Sequence, residues 1–280
     1  MKIFSLGFSR VGLILFTTIV GSCATIPEKP QDVFRIVAIG DSITRGDSPG
    51  LSLEGHTNTI PGGWVSVVRD KLSTWSNKSI EVINQGVNGD TVLGIRKRIH
   101  NDLFSWSPDL VILGIGTNDA YGKGMLFGGL SNTPPSYIPE DFRVNLRTLV
   151  QEIRKKLPSV PIVILGITTP LKQYWEQTMA APIVKFPEQE ILETTFSLYD
   201  RILNETSKEF ELSFVDIRSE WPQTIPESWM LLTDGIHPST AGYTFLANII
   251  FEKIAELLSS FRHGGGPSAQ PTRISTQPRD

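Results

Sequence analysis

The chain has 280 residues, 40% hydrophobic and 20% charged, with 26 Lys plus Arg against 29 Asp plus Glu. That composition suits a globular body with a sizeable core and sets aside disordered, collagenous and polytopic membrane classes. A net charge of −3 offers no field for nucleic acid, so a nucleic-acid-binding role is not expected.

At the amino end, Lys2 and Arg10 precede an apolar run over residues 11–20, followed by Gly21-Ser22-Cys23. The run is too short to span a bilayer comfortably and has the layout of a secretory signal. Its ending, Val20-Gly21-Ser22-Cys23, resembles a bacterial lipobox, in which signal cleavage exposes a Cys that then receives lipid such as palmitate. The expectation is a signal peptide over 1–22 and lipidation at Cys23. A tether over 23–33, with Pro27 and Pro30, would then hold a body on a membrane of the bacterial cell envelope. A plain signal peptide leading to a secreted or periplasmic protein is the other reading. Cys23 is the only cysteine, which excludes an intrachain disulfide and any Cys-based zinc spacing.

From residue 34 onward, strand-length apolar runs alternate with amphipathic stretches of helical length. Strands are expected over 34–39, 80–84, 110–115, 160–165 and 212–216, and helices over 64–72, 92–103, 140–157, 188–210 and 240–258. The middle strands are close to continuously hydrophobic, as strands covered on both faces of a parallel sheet must be. The expected fold class is therefore α/β: a three-layer α/β/α sandwich with right-handed crossovers, one domain over 34–262. Residues 263–280, rich in Gly, Pro and polar groups, read as a disordered C-terminal tail.

Ligands in such folds sit beyond the carboxyl ends of the strands. After the first strand stands Gly40-Asp41-Ser42, after the second Gly86-Val87-Asn88-Gly89, and after the third Gly116-Thr117-Asn118-Asp119. Ahead of the last helix comes Asp234-Gly235-Ile236-His237. Together these supply the inventory of a serine hydrolase. Ser42, at a strand-to-helix turn with the positive end of a helix nearby, is the candidate nucleophile, and His237 the candidate general base. Asp234, three residues before His237, can fix the imidazole tautomer. Among the four histidines, only His237 has a carboxylate at a useful spacing. The backbone N–H groups of Ser42 and Gly89 and the side-chain amide of Asn118 are the candidate oxyanion donors.

In that order, these four blocks resemble the GDSL, or SGNH, hydrolase family, over the body from about Ile36 to His237. Ile43 stands where the name-giving Leu would be. The resemblance implies the SGNH hydrolase fold, with a flavodoxin-like parallel five-stranded sheet. It also implies ester, thioester or amide-type hydrolysis through an acyl-enzyme, with no metal and no cofactor. Carried over residue by residue, Ser42 is the nucleophile, Gly89 and Asn118 donate to the oxyanion, and Asp234 and His237 complete the triad.

Each residue also has a plainer role open to it: Ser42 as a helix cap, Gly89 and Asn118 as turn formers, His237 at a helix start, and Asp119 as support for the Asn118 turn. No G-x-S-x-G, Walker or complete dinucleotide motif competes. Segments 47–63, 120–139 and 171–187 are expected to wall the cleft, their aromatic and aliphatic residues forming an acyl pocket or packing over the sheet. The expected activity is a serine esterase or lipase acting on small-molecule, lipid or glycan esters of small or medium acyl groups. The alternatives are an acetyl esterase of envelope polysaccharide, a lysophospholipase or thioesterase, or a silent glycan- or lipid-binding lipoprotein.

Overall fold

A computed structural model describes residues 28–46, 61–121, 138–173, 188–222 and 232–263. Cys23, most of the tether and nearly all of the tail lie outside them. Among the described residues no helix is long and apolar enough to cross a membrane.

Five parallel strands form one sheet: β1 (Val33–Gly40), β2 (Ser79–Gly86), β3 (Leu110–Gly114), β4 (Ile162–Leu165) and β5 (Ser213–Val215), in the order β2-β1-β3-β4-β5. Side chains alternate across a strand, and here both faces are covered. Val37, Ile39, Val111, Leu113, Ile162 and Ile164 enter one apolar cluster, while Ile36, Ala38, Leu110, Ile112, Val163 and Leu165 enter the other. This is why the central strands read as unbroken hydrophobic runs. Arg35 interrupts β1, and the structure satisfies it with Glu81 (2.6 Å), the Trp106 carbonyl (2.6 Å) and the face of the Trp106 ring.

The first cluster is closed by α3 (Val92–Asp102), α5 (Pro139–Lys156) and α6 (Gln189–Glu209), the second by α2 (Trp64–Trp75) and α8 (Thr240–His263). Helix α5 shows how the sequence specifies such an element. Phe142, Leu146, Leu149, Val150 and Ile153 form one buried stripe; Pro139 opens the helix, acids fill its first turn, and Arg154-Lys155-Lys156 fill its last. Short helices α1 (Ser42–Arg45), α4 (Thr117–Tyr121) and α7 (Ile217–Glu220) follow β1, β3 and β5 directly.

The step from β1 to β2 runs one way along the sheet through α2. The later steps run the other way through α3, α5 and α6 on the opposite face, as crossovers of one hand require. The direction reverses between β1 and β3, and a crevice at their carboxyl ends follows from that reversal. The packed body takes in the end of the expected tether, since β1 begins at Val33 and Lys29 pairs with Asp109 at 2.7 Å. It runs to His263 at the other end, one residue past the expected boundary.

Candidate active site

Gly40 closes β1 and touches the end of β3: a Cβ there would lie 2.1 Å from the Gly114 carbonyl oxygen, so only glycine lets the strands meet this closely. The chain then turns into α1. Asp41 caps that helix by accepting the Ile43 N–H at 3.0 Å, which leaves the Ser42 hydroxyl free of capping duty. The helix is a single turn of four residues, so it carries little macrodipole. Two neighbours hold it: Asn84 on β2 donates to the Thr44 and Arg45 carbonyls (3.0 and 3.2 Å), and the Thr44 hydroxyl donates to the Gly114 carbonyl (3.3 Å).

Opposite Ser42 lies the Asp234–His237 loop. The Asp234 Oδ1 atom accepts the backbone N–H groups of Ile236 (2.9 Å) and His237 (2.7 Å), while Oδ2 lies 2.7 Å from His237 Nδ1. His237 Nε2 lies 2.9 Å from Ser42 Oγ. Burial opposes ionisation of Asp234, but the His237 hydrogen bond and charge, with the two backbone N–H groups, outweigh it and hold the carboxyl below its ordinary value. An ionised carboxylate only accepts, so His237 Nδ1 carries a proton in either charge state, and in the neutral imidazole Nε2 is left to accept from Ser42.

The third wall is the turn after β2. Asp90 N–H donates to the Val87 carbonyl at 3.2 Å, and Gly89, at the third position of that turn, has φ +70°. Among the described residues, leaving aside Gly89 and its two chain neighbours, no atom lies within 4 Å of where a Gly89 Cβ would stand, so the positive φ, rather than crowding, calls for glycine. Asn118, on α4, donates one amide hydrogen to the Asp90 carbonyl at 2.9 Å, leaving the other available. Asp119, fully buried, reaches across to the first turn of α3 and accepts the Val92 N–H at 3.1 and 3.3 Å. The 118–119 pair thus ties the Gly89 turn and the start of α3 to the end of β3, a wider support than a local brace of the Asn118 turn.

Ser42, Gly89, Asn118, Asp234 and His237 are thereby gathered at the carboxyl ends of β1, β2 and β3. Several contributors are not foreseen from the sequence. Asn84 sits on a strand, and Arg98 lies two turns along α3, bonded to Asp90 and to the carbonyls of Gly40 and Gln85. The acid eight residues ahead of Arg98 was the available signal. The segments expected to wall the cleft fall almost wholly outside the described residues. An apolar cavity behind the turn is bounded by Ile43, Trp64, Leu165, Ile217, Leu246 and Ile250, and none of the five site residues is among its walls. Among the described residues no three His, Cys, Asp or Glu side chains cluster as metal ligands.

Asp41 also borders that cavity, and burial pushes its carboxyl up to about 7 from 3.8, against the pull of the Ile43 N–H and His237. A carboxyl raised by folding is harmless while both states are protonated. It lowers stability as pH climbs from about 4 to about 7, because only the unfolded chain ionises freely. The substitution Asp41→Asn keeps the cap and removes the titration. The melting temperature of the variant minus that of the wild type is therefore expected to grow across that window and level off above it. A difference independent of pH in thermal melts from pH 4 to 8 counts against an ionisation cost at Asp41. Asp200, raised to about 6 chiefly by burial, titrates in both proteins and cancels.

Comparison with known proteins places the chain in a family. A sequence model of the GDSL-like Lipase/Acylhydrolase family matches residues 38–245. An acetylxylan esterase of Geobacillus stearothermophilus is 27% identical over 223 residues, covering 79% of this chain and 93% of its own. The uncharacterized lipoprotein YqeF of Bacillus subtilis is 28% identical over 120 residues, 43% of each chain. The crystal structure of a lipase/acylhydrolase from Enterococcus faecalis has a TM-score of 0.59 at 22% identity, over 80% of this chain and 96% of that one, a likeness of fold. The matched stretch runs from within β1 into α8 and takes in every strand end described above; the chain belongs to the GDSL-like lipase/acylhydrolase family and is a carboxylic-ester hydrolase.

Proposed function

We propose that the protein removes acetyl or similarly small acyl groups from the hydroxyls of a glycan, through an acyl-enzyme on Ser42. The observation that carries this reading is the unbroken relay from Asp234 through His237 to Ser42, at 2.7 and 2.9 Å. His237 Nε2 takes the Ser42 proton as Oγ attacks the carbonyl carbon. The N–H groups of Ser42 and Gly89 and the free amide hydrogen of Asn118 stabilise the tetrahedral oxyanion. Collapse expels the alcohol with the proton from His237, and water, activated by the same imidazole, releases the acid.

Two observations favour a sugar as the alcohol half. One is the likeness to an acetylxylan esterase across most of both chains. The other is a polar cavity of about 230 Å³ beyond the ends of β4 and β5, with Thr168, Thr169, Gln189, Glu193, Arg218 and Trp221 in its walls. Leu171, also in its wall, donates its N–H to the Gly235 carbonyl at 2.8 Å, inside the Asp234–His237 loop. An alkyl chain there would strip water from polar groups without replacing its hydrogen bonds, whereas hydroxyls would replace them. The Val20-Gly21-Ser22-Cys23 ending and the likeness to a lipoprotein support attachment to the cell envelope through lipid on Cys23.

One experiment reads both halves of the proposal. Full-length protein and its Cys23→Ser variant are expressed in a bacterium, membrane and soluble fractions are separated, and each is assayed on acetylated xylo-oligosaccharides and on p-nitrophenyl esters from acetate to palmitate. Acetate release is expected in the membrane fraction, moving to the soluble fraction in the variant, with turnover of p-nitrophenyl esters falling as the acyl chain lengthens. A long-chain optimum overturns the small-acyl reading, and unchanged membrane association of the variant overturns the anchor.

A further inference from the structure

One guanidinium touches the end of β1, the end of β2 and the turn that presents Gly89. Arg98 lies on α3 with its side chain 17% exposed, and its Nε and Nη2 atoms meet Asp90 Oδ2 at 2.7 and 2.6 Å. Nη2 also donates to the Gly40 carbonyl (3.0 Å), and Nη1 donates to the Gln85 carbonyl (3.0 Å) and to Asp102 Oδ2 (2.8 Å). Gly40 is two residues from Ser42. Gln85 and Asp90 bracket the turn that presents Gly89, and the Asp90 carbonyl orients Asn118. The Gly40 carbonyl further accepts the Val87 N–H at 2.9 Å, so the carrier strand of the nucleophile and the oxyanion turn meet at one atom under this side chain.

We infer that Arg98 is a positioning residue: through Gly40, Gln85 and Asp90 it sets the distance between the Ser42 nucleophile and the oxyanion donors Gly89 N–H and Asn118 Nδ2. This rests on the catalytic reading proposed above. Oxyanion donors act within a few tenths of an ångström of about 2.9 Å, and a misplacement of about 1 Å costs on the order of 100-fold in rate. Only arginine has a planar fork that can serve Asp90 and two carbonyls at once. A lysine would keep the charge beside Asp90 and lose the simultaneous bonds to Gly40 and Gln85. The substitution Arg98→Lys therefore separates geometry from charge.

The test is a double-mutant cycle of Arg98→Lys with Asn118→Ala in the full-length protein. It is read as kcat and KM for p-nitrophenyl acetate per Ser42 titrated with a fluorophosphonate, with the phosphonylation rate measured alongside. The expected result for R98K is a fall in kcat per titrated site of about 10- to 100-fold with KM within about twofold, and a parallel fall in phosphonylation rate. The loss caused by N118A should be smaller in the R98K background than in the wild type, because both act on the same oxyanion. A fold-stabilising role alone would lower the fraction of titratable sites, leave turnover per site unchanged and give additive losses; either of the last two results overturns the proposal. Should R98K fail to fold, Asp90→Asn loosens the same hold from its other end and enters the cycle in its place. A wild type that neither turns over esters nor takes the phosphonate overturns the catalytic reading and this proposal together, whereas a normal wild type beside a normal R98K overturns this proposal alone.

Discussion

Replacing Ser42 with alanine is expected to lower ester hydrolysis by about 10⁴- to 10⁶-fold, with the fold intact and substrate still bound. The hydroxyl is bonded to His237 Nε2, while the capping of α1 belongs to Asp41, so its removal leaves the turn supported by Asn84 and Thr44. Alanine suits a helix, and water can take the place of Oγ beside a partly exposed imidazole, so stability should change by about 1 kcal/mol or less. Activity of S42A and wild type on p-nitrophenyl acetate, with thermal melts of both, checks the prediction. A variant retaining more than a few per cent of wild-type turnover would mean that water, not Ser42, attacks the ester.

The second large effect is expected at Asp234. Asparagine there keeps an oxygen for the N–H groups of Ile236 and His237 and turns an amide NH₂ toward His237 Nδ1. The imidazole must then hold its proton on Nε2 and can no longer accept from Ser42, so kcat should fall by about 10³- to 10⁴-fold. Because both residues serve one relay, S42A/D234N should be no slower than S42A alone; additive losses would separate Asp234 from the relay. Stability adds an independent reading. The Asp234 pKa is held below 3.8 in the fold, so its ionised form stabilises the protein above that value, and the contribution fades as pH falls through the folded value. The gap in melting temperature between wild type and D234N should narrow below about pH 4.

The strand ends and the order of the four blocks are legible because an α/β sheet with both faces covered writes each strand as a short apolar run, and a glycine after each of the first four runs marks the carboxyl edge. What holds those turns is not legible. Asn84 reads as one polar residue in a strand, and Arg98 as a charge on the wet face of an amphipathic helix; the α1 carbonyls that Asn84 holds and the Gly40 carbonyl that Arg98 holds lie about 40 to 60 residues away. Asp119 reads as local turn chemistry and serves another helix. In each case the deciding contact exists only once the sheet order is known. The brevity of α1 escapes for a different reason: Gly46, with φ +97°, ends the helix after one turn, a choice that residue type alone leaves open.

Pro170, Leu171 and Lys172 are stapled on two sides. Gln189 donates from Nε2 to the Pro170 carbonyl (3.0 Å) and accepts the Lys172 N–H (3.0 Å), Lys172 pairs with Glu188 (2.8 Å), and Leu171 holds the Gly235 carbonyl. The chain therefore departs at Lys172 and returns at Glu188 through a neck closed by these bonds, with the Asp234–His237 loop tied to it at Gly235. A change of length or sequence between those two points is expected to leave Ser42, Asp234 and His237 in place.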